Sequence, residues 1–343
     1  MGTHIPSIED TKELLKKNQI GIIGVGETEQ GKIPGKSSFH FLSEASKLAI
    51  EDAGIQKSDV DGVITAFSLV EETFMHCTTF ADYIGINPKY FESVAIGGAT
   101  AVWMTAAAAM AINSGQAEVV LCVRGDNTLS GISSTGMIAL IREMCHGEFE
   151  FPFGLTTPGG YALMANRYLH ETNGKREHLH SVAVTMREHA KLKENAMMKD
   201  DLTLDDIMAT RLLASPLTKF DCSIVSDGGA AFIVTTSAKA KELGLKRDPI
   251  YLHGMGQGFS HQYLTSCENL EQIYGAVEKS GKKAFETAGM TNDNVDITFL
   301  YDCFTITTLL ELEGLGIVPK GQAGAYALEG RLHKDADTPI NTH

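Results

Sequence analysis

Apolar residues in this chain form short strand-like runs that alternate with longer segments of helical period. A polar, charged arm is expected over 1–19, as a loose helix. IGIIGV at 20–25 reads as a strand, followed by a helix at 38–53 and a strand at 60–68. A helix at 73–85 and the strand FESVAI at 91–96 come next. Residues 100–114 carry no charge on any face, which marks a helix enclosed by protein. EVVLCVR at 118–124 is a buried strand. Between 125 and 220 the pattern breaks into Gly- and Pro-rich loops and His- and Met-bearing helical stretches, including a capped helix opening at Thr203. AAFIVTT then forms a strand, with a helix at 237–243, a strand at 250–255, a helix at 270–288 and a strand at 295–301. The alternation predicts an α/β fold with parallel sheets covered on both faces.

One unit of this pattern is written twice. Ala49, Glu51, Ala53-Gly54 and Val60-Asp61 recur as Ala284, Glu286, Ala288-Gly289 and Val295-Asp296, at one constant spacing. Each copy is a helix closing on Ala-Gly, a polar turn and an apolar strand, with glycine supplying the left-handed cap. Two similar halves are therefore expected rather than a solenoid. Residues 20–124 with 221–249 form the first half and 250–343 the second, with 125–220 as an inserted loop or lid region.

Composition narrows the function classes. A net charge of −14 and the lack of any basic run argue against nucleic acid as partner. The six cysteines are scattered, with no metal-ligand spacing and no disulfide framework, so no metal is expected. His170, His178, His180 and His189 lack tight metal spacing and read as a solvated helical face. The N-terminus shows no secretory leader pattern, and the run Ala101–Ile112 is too short to span a bilayer. A cytoplasmic protein without membrane association is expected.

Three places carry candidate chemistry. The glycines at 21, 24 and 26 suggest a dinucleotide turn, but a long polar loop follows where a helix should open, so a tight turn at a strand end fits better. Gly97-Gly98 opens the uncharged helix; its amides can hold an anion or a developing oxyanion, or the pair lets the strand turn sharply. Tyr301-Asp302-Cys303-Phe304 ends the second repeated strand, where the first copy has Ala66-Phe67-Ser68-Leu69. Sites in doubly wound sheets gather beyond strand C-termini. Tyr301 can serve there as acid or base, or simply bond to loop backbone. Cys303 reads as packing rather than as a nucleophile.

The duplicated halves, the buried small-residue helix, PLTKFDCSIVSDGGAAFIV at 216–234 and YDCFTITTLLELEGLG at 301–316 together resemble the thiolase superfamily. The nearest branch is that of sterol-carrier-protein-type and lipid-transfer-protein-like thiolases. The resemblance runs from residue 20 onward. It implies a thiolase fold, two αβα halves about a pseudo-twofold, and a dimer formed near Gly97. The family's nucleophilic cysteine falls on Gly98, so a covalent acyl-enzyme has no sulfur at its expected place. Tyr301 replaces the histidine of the His-Asp-Cys-Phe motif and is similar to the steroid side-chain retro-aldolases, in which a tyrosine moves a proton.

The end of the chain, Pro339-Ile340-Asn341-Thr342-His343, resembles the start of the family's Asn-x-x-Gly-Gly loop, so the second half is expected to be incomplete. The resemblance implies an enzyme that makes or breaks a carbon–carbon bond β to a CoA thioester. Retro-aldol cleavage of a β-hydroxy acyl group and CoA-dependent cleavage of a β-oxo group both remain open. Tyr301 and His343 are the expected catalytic residues, with Gly97, Gly98, Asn341, Asp302 and Phe304 expected to bind substrate or hold the oxyanion. Coenzyme A is expected as substrate or cosubstrate, with no covalently bound cofactor, and a small zinc-ribbon/OB-fold protein as partner. A non-catalytic acyl-CoA-binding scaffold and an acetyl transferase using another thiol are the alternatives.

Overall fold

The computed structural model describes residues 8–71 and 73–342. Its first elements are α1 (Ile8–Asn18), β1 (Ile20–Glu27), α2 (Ser38–Ala53), β2 (Gly62–Ala66), α3 (His76–Ile84) and β3 (Tyr90–Val94). Next come α4 (Thr100–Asn113), β4 (Val119–Asp126), α5 (Thr128–Gly131), α6 (Ser134–Met144), α7 (Thr157–Glu171), α8 (Arg176–Ala190) and α9 (Leu204–Met208). The hairpin β5 (Leu212–Ala214) and β6 (Leu217–Thr218) precedes β7 (Gly228–Thr236), α10 (Ser237–Glu242) and β8 (Ile250–Tyr251). α11 (Leu270–Ala288), α12 (Thr305–Gly314) and α13 (Ala323–Leu328) complete the order. The chain forms two compact units: 1–136 with 225–255, and 137–224 with 256–343. Among the described residues no helix is long and apolar enough to cross a membrane.

The first unit is built on a six-stranded sheet of order β3-β2-β4-β7-β1-β8. It is mixed rather than parallel: β2 pairs parallel with β3 and β4, whereas β7 runs antiparallel to β4 and β1, and β8 is antiparallel to β1. Alternation along β4 splits its side chains between two cores. Val119, Leu121 and Val123 join Ala45, Ala49 and Phe80 on one face, while Val120 and Cys122 join Met104, Ala107 and Ala108 of α4 on the other. Both faces are covered, as the near-continuous apolar strands require. Each fully buried Val, Leu or Ile contributes about 2 kcal/mol.

The glycines of β1 are part of the sheet and not a turn. A Cβ at Gly24 would lie 2.5 Å from the Ala49 carbonyl, and one at Gly26 would lie 2.4 Å from that of Ala45. Their absence lets α2 lie directly on the strand. Nothing in this stretch forms a strand–turn–helix phosphate cradle: β1 is followed by the loop 28–37 before α2 opens at the Ser37 cap.

The second unit repeats the same device with different local pairing. α11 ends at Gly289 (φ 67°) as α2 ends at Gly54 (φ 72°), both left-handed. A 3-10 turn follows each, Lys57–Asp59 in one unit and Asn292–Asn294 in the other. Gly256 and Gly258 lie against α11, where a Cβ would meet the carbonyls of Ser280 and Ala276 at 2.0 and 1.9 Å. The strand expected at 295–301 is extended chain instead, held by one parallel bridge, Thr298 to Ile340. The strand expected at 250–255 contracts to Ile250–Tyr251. The core here is helical: Ala165 and Tyr168 of α7, Leu179 and Val182 of α8, and Leu309 and Leu312 of α12 pack together.

Candidate functional site

The second unit holds the Tyr-Asp-Cys-Phe segment between two supports. On one side Thr298 N–H donates to the Pro339 carbonyl at 3.1 Å, and Asn341 N–H donates to the Thr298 carbonyl at 3.0 Å. Asn341, buried and at φ 41°, then uses its side chain as a neighbouring strand would use its backbone. Its Oδ1 accepts the Leu300 N–H at 2.7 Å and its Nδ2 donates to the Leu300 carbonyl at 3.1 Å. Buried His189 fastens Asn341 from behind. Its Nε2 accepts the Lys334 N–H at 2.9 Å, which leaves Nδ1 to donate to the Asn341 carbonyl at 3.1 Å.

On the other side, Cys222 bridges Phe304, and Ser223 N–H donates to the Cys303 carbonyl at 2.9 Å. Beneath this pairing lies Asp221, wholly buried. Its Oδ1 accepts from His180 Nδ1 at 2.8 Å and Thr305 Oγ1 at 3.0 Å. Its Oδ2 accepts from the Thr218 N–H at 2.7 Å and the Thr218 hydroxyl at 2.9 Å. Burial pushes this carboxyl up, but the donors of His180 and Thr218 outweigh it and hold the group below its ordinary range.

Between these supports Tyr301 is 49% exposed and Asp302 is exposed, whereas Cys303 and Phe304 are buried. The Tyr301 N–H donates to Glu311 Oε2 at 2.9 Å. The Cys303 thiol lies 3.4 Å from both Tyr161 Oη and Thr307 Oγ1. Burial pushes this thiol up, and the charge of Glu311 adds to that; hydrogen bonds from Thr307, Tyr161 and Tyr301 oppose the rise without cancelling it. A thiol so placed is a poor nucleophile. Phe304 stacks on Tyr161 with ring centroids 4.0 Å apart. Burial and Cys303 push the Tyr161 phenol well above its usual value.

Two carboxylates of α12 behave differently. Glu313 is buried and accepts the hydroxyls of Tyr168 and Tyr274, each at 2.6 Å, and the Ala323 N–H at 2.9 Å. Glu311 accepts the Tyr301 N–H, and burial pushes it up to about 7, with the charge of Asp302 adding to the rise.

The first unit contains Gly97 and Gly98. Gly97 is left-handed (φ 70°), and residues 97–99 make a single 3-10 turn into α4. The Thr100 hydroxyl donates to the Gly97 carbonyl at 2.7 Å and accepts the Ile96 N–H at 3.1 Å. No side chain caps the first turn of α4.

Of the residues expected from the sequence, Tyr301, Asp302, Phe304 and Asn341 thus lie along one stretch of the second unit. Phe304 is packed into the wall, and the Asn341 amide is engaged with Leu300. His343 lies outside the described residues. His180 and His189 are buried in the scaffold rather than on a solvated face. Among the described residues no cluster of three or more His, Cys, Asp or Glu is placed to hold a metal. Sequence reasoning passes over Glu311, Asp221 and Tyr161. The available signal was Glu311-x-Glu313 inside an otherwise apolar helix, where acidic side chains need buried partners.

Known proteins resemble this chain in sequence and fold. Residues 256–343 match the family described as Thiolase C-terminal domain-like. Over 333 residues the chain is 34% identical to the steroid side-chain-cleaving aldolase of Thermomonospora curvata, covering 94% of this chain and 84% of that protein. It is 32% identical over 340 residues to the 17-hydroxy-3-oxo-4-pregnene-20-carboxyl-CoA lyase of Mycobacterium tuberculosis, covering 96% and 86% respectively. The solved structure of the Ltp2-ChsH2(DUF35) aldolase superposes with a TM-score of 0.83 at 33% identity, over 95% of this chain and 84% of that one. The chain belongs to the thiolase superfamily, in the branch of sterol-carrier-protein-2-like thiolases that includes the side-chain-cleaving aldolases.

Proposed function

We propose that this protein cleaves the carbon–carbon bond β to a CoA thioester by retro-aldol chemistry on a β-hydroxyacyl-CoA, with no covalent cysteine intermediate. The observation that carries this reading is a half-exposed phenol, Tyr301, on a rigid support, in a chain with Gly98 where the family's nucleophilic cysteine stands. The named activities of the aldolase and lyase relatives support it.

In the reaction the ionised Tyr301 side chain takes the proton of the β-hydroxyl group. The Cα–Cβ electron pair moves to the thioester as an enolate, and the β-carbon departs as a ketone. Gly97 and Gly98 are assigned the anion-holding role expected of a helix mouth. The proton returns to the α-carbon and completes a shorter acyl-CoA, so no oxidant or second substrate is consumed. His343 is assigned as a second acid–base group and Asn341 as the fastener of the Tyr301 segment. Coenzyme A enters as part of the substrate, with no covalent cofactor.

Two kinds of partner belong to this reading. A homodimer is supported by edge strand β3 and the start of α4, where Phe91 is 54% and Val102 is 78% exposed beside Ile96. A small zinc-ribbon/OB-fold protein is supported by the two-part name of the Ltp2-ChsH2(DUF35) relative.

The glycine at 98 also suits a subunit that binds acyl-CoA without turning it over. The test is release of a shorter acyl-CoA from 17-hydroxy-3-oxo-4-pregnene-20-carboxyl-CoA and from simpler β-hydroxy and β-oxo acyl-CoAs, with and without free CoA. Turnover of β-hydroxy substrates without free CoA is expected, falling at least ~100-fold in Tyr301→Phe. Full-length protein with its partner that turns over neither class would sink the enzyme reading.

A further inference from the structure

The main chain on either side of Tyr301 is fixed by different means. Leu300 is held at both its N–H and its carbonyl by the Asn341 amide, and Cys303 by the Ser223 N–H. Tyr301 itself is tied by its N–H to Glu311 at 2.9 Å, a carboxylate that makes no ion pair with Lys, Arg or His among the described residues. The groups acting on Glu311 are few. Asp302 and Cys303 act on it from the loop and Tyr161 from α7; among the described residues no charged side chain of α8, α11 or α13, the other helices packed on α12, contributes. An N–H donor favours the ionised carboxylate, whereas burial and a neighbouring acid favour the protonated one. The two demands are balanced close to neutrality, at about 7.

We propose that Glu311 is a positioning residue for the reaction: ionised, it clamps the main chain at Tyr301 through a charge-assisted hydrogen bond; protonated, it relaxes that clamp. The inference rests on Tyr301 being the proton-transfer group of the proposed function. An ionised acceptor makes a bond roughly twice as strong as a neutral one. The main chain at Tyr301 is therefore best held at the alkaline end of the range.

The test follows the Tyr301 amide directly. Protein labelled with 15N-tyrosine has nine tyrosine amides, and Tyr301→Phe identifies the one wanted. Its shift is expected to titrate with a midpoint near 7 in the native chain and to be flat in Glu311→Gln, which keeps an acceptor but cannot ionise. In parallel, kcat/KM on 17-hydroxy-3-oxo-4-pregnene-20-carboxyl-CoA should lose its acid limb at neutral pH in Glu311→Gln, with the plateau lowered no more than about tenfold. An amide that does not titrate between about pH 5 and 9, or titrates equally in Glu311→Gln, overturns the clamp. Turnover with a flat amide leaves the proposed reaction standing and removes the clamp alone. Absence of turnover with a titrating amide removes the reaction and leaves the clamp.

Discussion

Glu311 accepts the main-chain N–H of Tyr301 at 2.9 Å while lying next to Asp302, a second acid that repels its charge. The fold therefore binds a proton at Glu311 more tightly than the unfolded chain does. Because this carboxyl is raised to about 7, its stability contribution is complete below the unfolded value of about 4.3 and is lost as pH rises through 7. Thermal denaturation followed by circular dichroism should show the melting temperature falling across that window. Glu311→Gln should flatten that part of the curve, and a native-like slope in the variant would contradict the assignment.

Asp221 works with the opposite sign. Its carboxyl is held below the ordinary range by His180 and Thr218 against the cost of burial, so its contribution is present above about pH 4 and is lost on acidification. Asp221→Asn turns an amide N–H toward donors that need an acceptor, and the cost is about 3 kcal/mol. Because Thr305 and the Cys222–Phe304 bridge hang on the same residue, the expected activity loss exceeds that of a remote site with the same melting temperature. Comparing kcat against such a stability-matched variant checks this.

Much of the scaffold was legible because its causes are local. The bounds of α2 and α11 follow from apolar period and a terminal glycine, and both ends stand where the repeated Ala-Gly places them. Strand 295–301 was misread because its backbone is satisfied non-locally. Leu300 bonds to the Asn341 side chain, and the one bridge to a distant main chain among the described residues is at Thr298. A run of Ile, Thr, Phe and Leu suggests a buried strand but does not state what pairs with it, and here Ile297 and Phe299 stay exposed. The direction of β7 was hidden for the same reason: AAFIVTT fits a parallel or an antiparallel neighbour alike. At the site, Tyr301 could be found because the two repeats diverge there. Asp221 and Glu311 could not, since a lone acid in sequence does not reveal that its partners lie far along the chain.

Glu313 is a structural tripod, not a reacting group. It satisfies two buried phenols and the first amide of α13, and burial together with this carboxylate pushes both phenols, Tyr168 and Tyr274, above their usual range. Glu313→Ala strands three donors and should destabilise the second unit by about 3 kcal/mol or more. Tyr168→Phe removes only one donor and should cost about 1 kcal/mol. Urea unfolding monitored by tyrosine fluorescence orders the two variants, and equal losses would contradict the tripod.

Cys303 separates the proposed chemistry from a cysteine-dependent transferase. Its thiol is buried and raised, touching Tyr161 and Thr307. Cys303→Ala should keep turnover within about fivefold of the native chain, whereas loss of a true nucleophile costs ~1000-fold or more. Mass spectrometry after iodoacetamide at neutral pH should show Cys303 among the slowest cysteines to react. Rapid labelling that abolishes activity would favour the transferase.

The duplicated glycine contact is testable in both units. Gly26 and Gly258 each face helix backbone, at 2.4 Å from the Ala45 carbonyl and 1.9 Å from the Ala276 carbonyl. Neither atom can rotate away as a side-chain tip would, so an added methyl must move the helix off the extended chain beneath it. Such overpacking costs about 1–3 kcal/mol, and more when the obstacle is main chain. Gly26→Ala and Gly258→Ala should therefore both lower the melting temperature, the second more strongly because its contact is closer. Gly275, inside α11, supplies the control: nothing lies within 4 Å of its Cβ position. Gly275→Ala should raise stability by about 0.5–1 kcal/mol through helix propensity alone. If all three substitutions were neutral, the glycines would not be what lets α2 lie on β1 and α11 on the segment at Gly256 and Gly258, and the physical basis of the repeat would have to be sought in the apolar residues instead.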